Sequence, residues 1–305
     1  MFKKGLFEGQ RILVTGGGTG LGKAMAGRFL GLGAEIFICG RRKTVCEETS
    51  TELMRRHGGK VTAFGVDIRD AKAVDAMVEE IFASGPLTGL VNNAAGNFIA
   101  RTEDLSPRGF DAIANTVMHG TFYVTHAVGR RWIAGGHRGS ILSILTTWIW
   151  NGGPFTVPSA MSKAAVHAMT MSLASEWGRY GIRLNAIAPG EIPTEGMNKR
   201  LTPASAPGER TAKINPMGAW ERSRNCKTSR SSLCRMAAIG SQARRSAWTA
   251  DRRLRREETF STCEVGTTKT GSVRATPLRR RTPKTAQTGA EAFRVGLRLR
   301  ADVHG

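Results

Sequence analysis

Residues 11–42, "RILVTGGGTGLGKAMAGRFLGLGAEIFICGRR", decide the fold. They begin with a short apolar strand and pass through a glycine-rich turn into apolar residues at helical spacing, which stop at Gly33. A second apolar strand follows. A strand, a turn, a helix and another strand in this order predict a βαβ unit with parallel strands.

The same alternation continues to about residue 190. Further strands are predicted in four segments with helical segments between them: "KVTAFGVDI", "LTGLVNNAAG", "RGSILSIL" and "GIRLNAIAPG". Nearly continuous apolar strands are typical of a parallel sheet that is covered on both faces. Because crossovers are right-handed, we predict an α/β fold of the Rossmann type, a doubly wound parallel sheet flanked by helices.

The glycine turn has the spacing of a phosphate-binding loop. Gly16 lets the chain leave the strand sharply, while Gly20 and Gly22 allow close backbone approach to a pyrophosphate at the helix N-terminus. We therefore predict a dinucleotide site, with a simple tight turn as the alternative.

The end of the second strand suggests which dinucleotide is bound. Arg41 and Arg42 stand where a carboxylate would bind a ribose hydroxyl, so a 2′-phosphate and NADP(H) are favoured over NAD(H). The alternative is two solvated arginines at a helix start. Asp67 is placed to accept from the adenine amino group, or else to cap a helix beginning near Ala71.

Together these landmarks resemble the short-chain dehydrogenase/reductase family over residues 8 to 218. The matching motifs are "TGGGTGLG" at 15–22, Asp67, "NNAAGN" at 92–97, Lys163 and "PG" at 189–190. Within the family, "VPSAMSKAAV" and "SEWGRYGIRLN" are most similar to the 2,4-dienoyl-CoA reductase branch. The resemblance implies an NADP(H) site formed by Gly16, Thr19, Gly20, Leu21, Gly22, Arg41, Arg42, Asp67, Ile68, Asn93, Ala94, Gly96, Lys163, Pro189, Gly190 and Ile192.

The catalytic positions depart from the family's usual serine, tyrosine and lysine. In that usual site the lysine lowers the pKa of the tyrosine, which supplies a proton to a carbonyl oxygen. Here Thr146 stands at the serine, Ser159 at the tyrosine, and Val117 at an asparagine of the preceding helix. An aliphatic hydroxyl is a poor acid compared with a phenol.

The dienoyl-CoA reductase branch also has a serine where Ser159 stands. In its mitochondrial type, a tyrosine and an asparagine hold the thioester carbonyl, and here those positions are Trp148 and His119. Trp148 can donate a hydrogen bond without supplying a proton, whereas His119 can do either. The catalytic set implied is Lys163, Ser159, Trp148, His119 and Thr146, with ordinary packing or surface roles as the alternatives.

Acyl-CoA recognition is expected from two regions. Asn97 and Phe98 are implied to contact the substrate. The segment after Gly190 is rich in turn formers and charges, and it predicts a lid with a short helix around 196–201. Its cations are candidates for the phosphates of coenzyme A, or are ordinary surface charges: Lys199, Arg200, Arg210 and Lys213.

Composition changes near residue 218. Of the net charge of +21, residues 219–305 hold +13, and they show no helical or strand period. Such an Arg/Ser/Thr-rich segment buries too little apolar surface to fold, so we predict a domain over 1–218, a disordered tail over 219–305, and no seventh strand. The sixth strand would then be an open edge.

The genetic code offers an explanation for the tail. Regrouping the codons of residues 237–252 one nucleotide earlier permits "CDWLTGETIGMDGGQ", and residues 224–240 permit "PELQNLAVFLVPDGCDW". This is an amphipathic helix followed by the ending typical of the family. We hypothesise a frameshift near residues 217–221, which would leave this chain defective in the homotetramer assembly of its family and in activity.

The sequence leaves four interpretations open. Three concern the folded domain: an NADPH-dependent reductase of unsaturated acyl-CoA thioesters, another carbonyl or alcohol oxidoreductase, and a nucleotide-binding protein without catalysis. The fourth is a basic tail that binds the phosphates of nucleic acid non-specifically. The basic tail lacks the interleaved aromatic residues of a specific nucleic-acid site. The five cysteines have no metal-ligand spacing, and neither a membrane span nor a secretory leader is indicated, so a cytoplasmic location is expected.

Overall fold

The computed structural model describes residues 3–190, Ile192 and the backbone of Arg245–Trp248. All of these lie in the first of two units into which the chain divides, Met1–Glu257 and Glu258–Gly305. The boundary expected near residue 218 therefore remains a prediction.

A parallel sheet forms the centre of the described part, with strand order β3-β2-β1-β4-β5-β6-β7. The strands are β1 Arg11–Thr15, β2 Glu35–Gly40, β3 Val61–Gly65, β4 Gly89–Asn92, β5 Gly139–Ile144, β6 Ile182–Pro189 and β7 Arg245–Trp248. The order reverses direction between β1 and β4, which is the topological switch of a doubly wound sheet. The predicted Rossmann-type fold is confirmed.

Helices connect the strands. They are α1 Gly20–Leu30, α2 Lys43–His57, α3 Ala71–Ala83, α4 Pro107–Ala114, α5 Gly120–Ala134, α6 Trp148–Asn151 and α7 Val157–Trp177. A π-helical turn, Asn115–His119, joins α4 to α5. None of the helices in the described part is both long and apolar enough to cross a membrane.

The start of α3 decides between two roles considered for Asp67. The side chain of Asp70 caps this helix by accepting hydrogen bonds from the backbone N–H groups of Lys72 and Ala73, at 2.9 and 3.1 Å. A carboxylate at this position satisfies donors that have no partner within the helix. Asp67 is therefore not the helix cap.

The core lies on both faces of the sheet. Along β2, Ile36 and Ile38 face one apolar cluster, and Phe37 and Cys39 face the other. The helices α1 and α2 cover the first face, while α3 and α5 cover the second. Burial on both faces explains why the strands are continuously apolar rather than alternating.

The seventh strand corrects one sequence prediction. Arg245–Trp248 pairs in parallel with Ala186–Pro189 of β6, although a missing seventh strand was expected. Strand addition uses backbone N–H and C=O groups, so a segment without apolar alternation can still pair with an edge. In the described part, residues 182–185 have a strand neighbour only in β5. The rest of the predicted tail lies outside the described residues, as does the predicted lid apart from Ile192.

Candidate active site

The glycine turn lies at the carboxyl ends of the central strands, where parallel α/β sheets bind ligands. Gly16 and Gly20 have φ values of +63° and +53°, in the left-handed region that favours glycine. A Cβ on Gly22 would lie 2.6 Å from Nδ2 of Asn93 and still closer to the carbonyl oxygen of Gly16. The backbone is therefore packed too tightly for any other residue at position 22.

A hydrogen-bonded clasp between β1 and β4 holds this turn in shape. Oγ1 of Thr15 accepts from the backbone N–H groups of Asn93 and Ala94, both at 3.0 Å. In return, Nδ2 of Asn93 donates to the carbonyl oxygens of Thr15 and Gly16, at 3.0 and 3.3 Å. Sequence reasoning included Asn93 and Ala94 but missed Thr15, whose position at the end of an apolar strand was the available signal.

Charged side chains follow the strands β2 and β3. Arg41 and Arg42 follow β2 and are exposed, and neither forms an ion pair with any residue that the structure describes. Arg69 donates to both carboxylate oxygens of Asp67, at 2.6 to 3.0 Å. These hydrogen bonds lower the pKa of Asp67, and the nearby charge of Arg41 contributes. Asp67 thus carries a guanidinium partner that sequence reasoning did not anticipate.

Lys163 is a buried lysine within α7. Lys163 is only 6% exposed, and its Nζ donates to the carbonyl oxygen of Ile144 at 2.5 Å. Burial lowers the pKa of Lys163 to about 8, because a charged ammonium loses hydration there. The alternative of an exposed helix lysine is wrong.

Ser159 is buried one helical turn before Lys163, so both side chains lie on the same side of α7. Thr146 lies two residues after the end of β5 and is half-buried. Trp148, also half-buried, begins α6 and packs against Gly153, where an added Cβ would lie 2.9 Å from Cδ1 of the indole. These side chains belong to the connection after β5, to α6 and to α7.

His119 is placed differently. It ends the π-helical turn, is exposed, and contacts the ring of Tyr123 edge-on at 6.1 Å between centroids. It lines a groove of about 240 Å³ between α5 and α7, whose lining includes Ala165 and Met169 but neither Ser159 nor Lys163. Val117 is fully buried two residues earlier, so this position offers no polar group to a ligand.

The remaining cofactor positions occupy the same edge of the sheet. Thr19, Gly20 and Leu21 open α1, Gly96 follows β4 with open space where a Cβ would be, and Pro189 ends β6. Gly190 and the buried Ile192 come after β6.

Ile68 is a packing residue, because a Cβ on Gly120 would lie 2.6 Å from its Cγ1.

The predicted substrate residues are only partly described. Asn97 accepts from the backbone N–H of Phe98 at 2.9 Å, in the loop after β4. Arg200 and Arg210 lie outside the described residues, as do Lys199 and Lys213. In the described part, no group of three His, Cys, Asp or Glu side chains could hold a metal ion.

The site fits a nicotinamide dinucleotide. The glycine cradle admits only backbone at Gly22, the N-terminus of α1 follows it, and the exposed Arg41 and Arg42 follow the neighbouring strand β2. Such an arrangement suits the pyrophosphate of a dinucleotide.

Comparisons with known proteins agree with this geometry. The sequence model of the family described as short chain dehydrogenase matches residues 10–205. An uncharacterized oxidoreductase of Caenorhabditis elegans is 49% identical over 201 residues, covering 65% of this chain and 64% of the relative. A probable 2,4-dienoyl-CoA reductase of the same organism is 44% identical over 223 residues, covering 72% of each chain.

A solved structure extends the agreement. The crystal structure of a short chain dehydrogenase from Bacillus anthracis superposes with a TM-score of 0.69 at 37% identity, covering 79% of this chain and 95% of the other. The fold and the site define an oxidoreductase that uses a nicotinamide cofactor and a small-molecule substrate. The chain belongs to the short-chain dehydrogenase/reductase family, in its dienoyl-CoA reductase-like branch.

Proposed function

We propose that this chain is an NADP(H)-dependent reductase of unsaturated acyl-CoA thioesters of the 2,4-dienoyl type. The observation that carries the proposal is the buried pair of Lys163 and Ser159 on one side of α7. A carbonyl reductase of this family needs a phenol where Ser159 stands, whereas reduction of a conjugated thioester needs only stabilisation of charge at the oxygen. The relative named as a probable 2,4-dienoyl-CoA reductase supports this choice.

Different described residues would bind different parts of the cofactor. The glycine turn and the N-terminus of α1 would hold the pyrophosphate, Arg41 and Arg42 would hold the 2′-phosphate, and Lys163 would hold the nicotinamide ribose. The cofactor, when bound, would supply a hydride to the conjugated chain.

Neutral hydrogen-bond donors and one cation would stabilise the negative charge that develops on the thioester oxygen. The candidate donors are the hydroxyl groups of Ser159, one turn before Lys163 on α7, and of Thr146, and the indole N–H of Trp148. With a pKa of about 8, Lys163 is mainly protonated at neutral pH and adds positive charge to the site. Water supplies the final proton. His119 is a weaker candidate for that proton, because it lines a groove without Ser159 or Lys163.

Turnover of matched substrates tests the reaction. The full chain should oxidise NADPH with 2,4-decadienoyl-CoA more slowly than a chain whose reading frame is restored after residue 217, and neither chain should be active with simple ketones. Reduction of the ketones instead would assign a carbonyl reductase. NADPH binding without reduction of either substrate would assign a nucleotide-binding protein, and Val117 and Ser159, which replace the family's usual asparagine and tyrosine, would then explain the lack of catalysis.

The proposal extends to the segment after residue 218, which we infer to be read out of frame. The family match ends at residue 205. In the shifted reading "CDWLTGETIGMDGGQ", the letters "TIGM" fall on residues 245–248, the segment that pairs with β6. A frame-restored chain would be a cytoplasmic homotetramer, whereas this chain assembles poorly. Sequencing the gene across codons 217–221 tests this, and an uninterrupted frame there would contradict it.

A further inference from the structure

A strained turn precedes α7. Phe155 has a φ of +64°, and it is the one non-glycine residue with positive φ in the described part of the chain. It follows Pro154, and a proline followed by a left-handed residue is the usual arrangement of a turn that favours glycine at this second position. A β-carbon there is sterically disfavoured, so phenylalanine is a poor choice for the turn itself.

Packing does not account for this phenylalanine. Phe155 is 48% exposed and belongs to none of the apolar clusters of the described core. Local strain without a packing gain is typical of residues that serve a ligand.

The backbone around Phe155 is nevertheless fixed from two sides. Its carbonyl oxygen accepts from the N–H of Ala100 at 3.2 Å, which joins the loop after β5 to the loop after β4. On the other side, Oγ1 of Thr156 donates to the carbonyl oxygen of Gly153 at 2.9 Å, and Gly153 packs on the indole of Trp148. The turn therefore holds the backbone of Phe155 in a defined position.

A second exposed apolar residue lies beside this connection. Ile99 precedes Ala100 and is 45% exposed. Both loops leave the carboxyl ends of strands that form the ligand-binding edge. Apolar side chains at the mouth of such a site suit the apolar part of a ligand.

We propose that Phe155, together with Ile99, contacts the acyl chain of the substrate and sets the preference for chain length. This inference rests on the proposed acyl-CoA function. The strained backbone keeps an aromatic ring at the mouth, where glycine would leave the acyl chain in water.

Equilibrium binding of two saturated acyl-CoA thioesters to the full chain provides the test. The unmodified chain should bind decanoyl-CoA about tenfold more tightly than hexanoyl-CoA, because part of the longer chain leaves water. In Phe155→Gly this ratio should fall below about twofold, while the melting temperature stays equal or rises because the turn is relaxed. Phe155→Leu should keep most of the preference.

Tyr180 supplies the control, since it is also an exposed aromatic residue but lies after α7, where the guanidinium of Arg179 is 4.7 Å from the centre of its ring. Tyr180→Ala should leave the chain-length ratio unchanged. An unchanged ratio in Phe155→Gly, or no preference in the unmodified chain, would overturn the inference. Phe155→Gly could lose the chain-length preference in binding while the unmodified chain fails to oxidise NADPH with 2,4-decadienoyl-CoA. That result would support the contact with the acyl chain and count against the proposed reaction.

Discussion

Replacing Lys163 by methionine tests whether a buried ammonium controls the stability of this fold. Burial lowers the pKa of Lys163 from 10.5 to about 8. In the unfolded chain the same lysine keeps its proton up to its ordinary value, so between these pH values the unfolded state binds more protons. Stability should therefore rise as the pH increases through this window, and below pH 8 the folded state bears the full penalty of desolvating the charge.

The expected magnitude follows from the two pKa values. Between pH 7 and about pH 9.5, this group should add about 2 kcal/mol to the free energy of unfolding of the unmodified protein. Lys163→Met should lack this gain, because it has no titrating group at the position.

Urea denaturation of both proteins at the two pH values measures the effect. The difference between them cancels the titration of other groups, including the Cys39 thiol, whose pKa burial raises to about 12. Equal changes in the two proteins would refute the reasoning and would mean that Lys163 is hydrated in solution.

Three further substitutions probe the cradle, the choice of cofactor and the fold. Gly22→Ala should lower NADPH affinity at least tenfold in a fluorescence titration, whereas Gly178→Ala, which meets open space, should not. The double variant Arg41→Ala, Arg42→Ala should weaken NADPH binding at least tenfold and leave NADH binding unchanged, a difference that would vanish if these guanidinium groups remain in water. Arg11 pairs with a carboxylate of β2 and with oxygens of the turn between α3 and β4, so Arg11→Ala should lower the free energy of unfolding by about 2 kcal/mol.

Local sequence signals were sufficient for most of the fold. Buried parallel strands require continuous apolar runs, which is why β1 to β6 could be placed from the sequence. The glycine turn was equally clear, because Gly16 and Gly22 have conformational and packing requirements that no other residue meets. The seventh strand was not predictable in this way, since its pairing depends on the edge of β6 rather than on its own side chains.

The contacts between side chains were harder to predict from the sequence than the helices and strands. Nothing in the spacing of Asp67 and Arg69 indicates that the carboxylate meets a guanidinium rather than only a ligand. His119 was assigned by its position in the chain, but the π-helical turn holds an extra residue per turn and changes the direction of the side chains around it. The left-handed backbone of Phe155 has no signal beyond the preceding proline.

The clasp between Thr15 and Asn93 determines when, during its synthesis, the chain becomes able to bind the cofactor. Its two halves are 78 residues apart in the chain, so the glycine turn cannot acquire its final shape while only β1 and α1 have left the ribosome. Nascent chains that end before β4 contain every glycine of the cradle but lack the amide that fixes it. Cofactor capture is therefore a late event, which follows the pairing of β1 with β4 instead of guiding it.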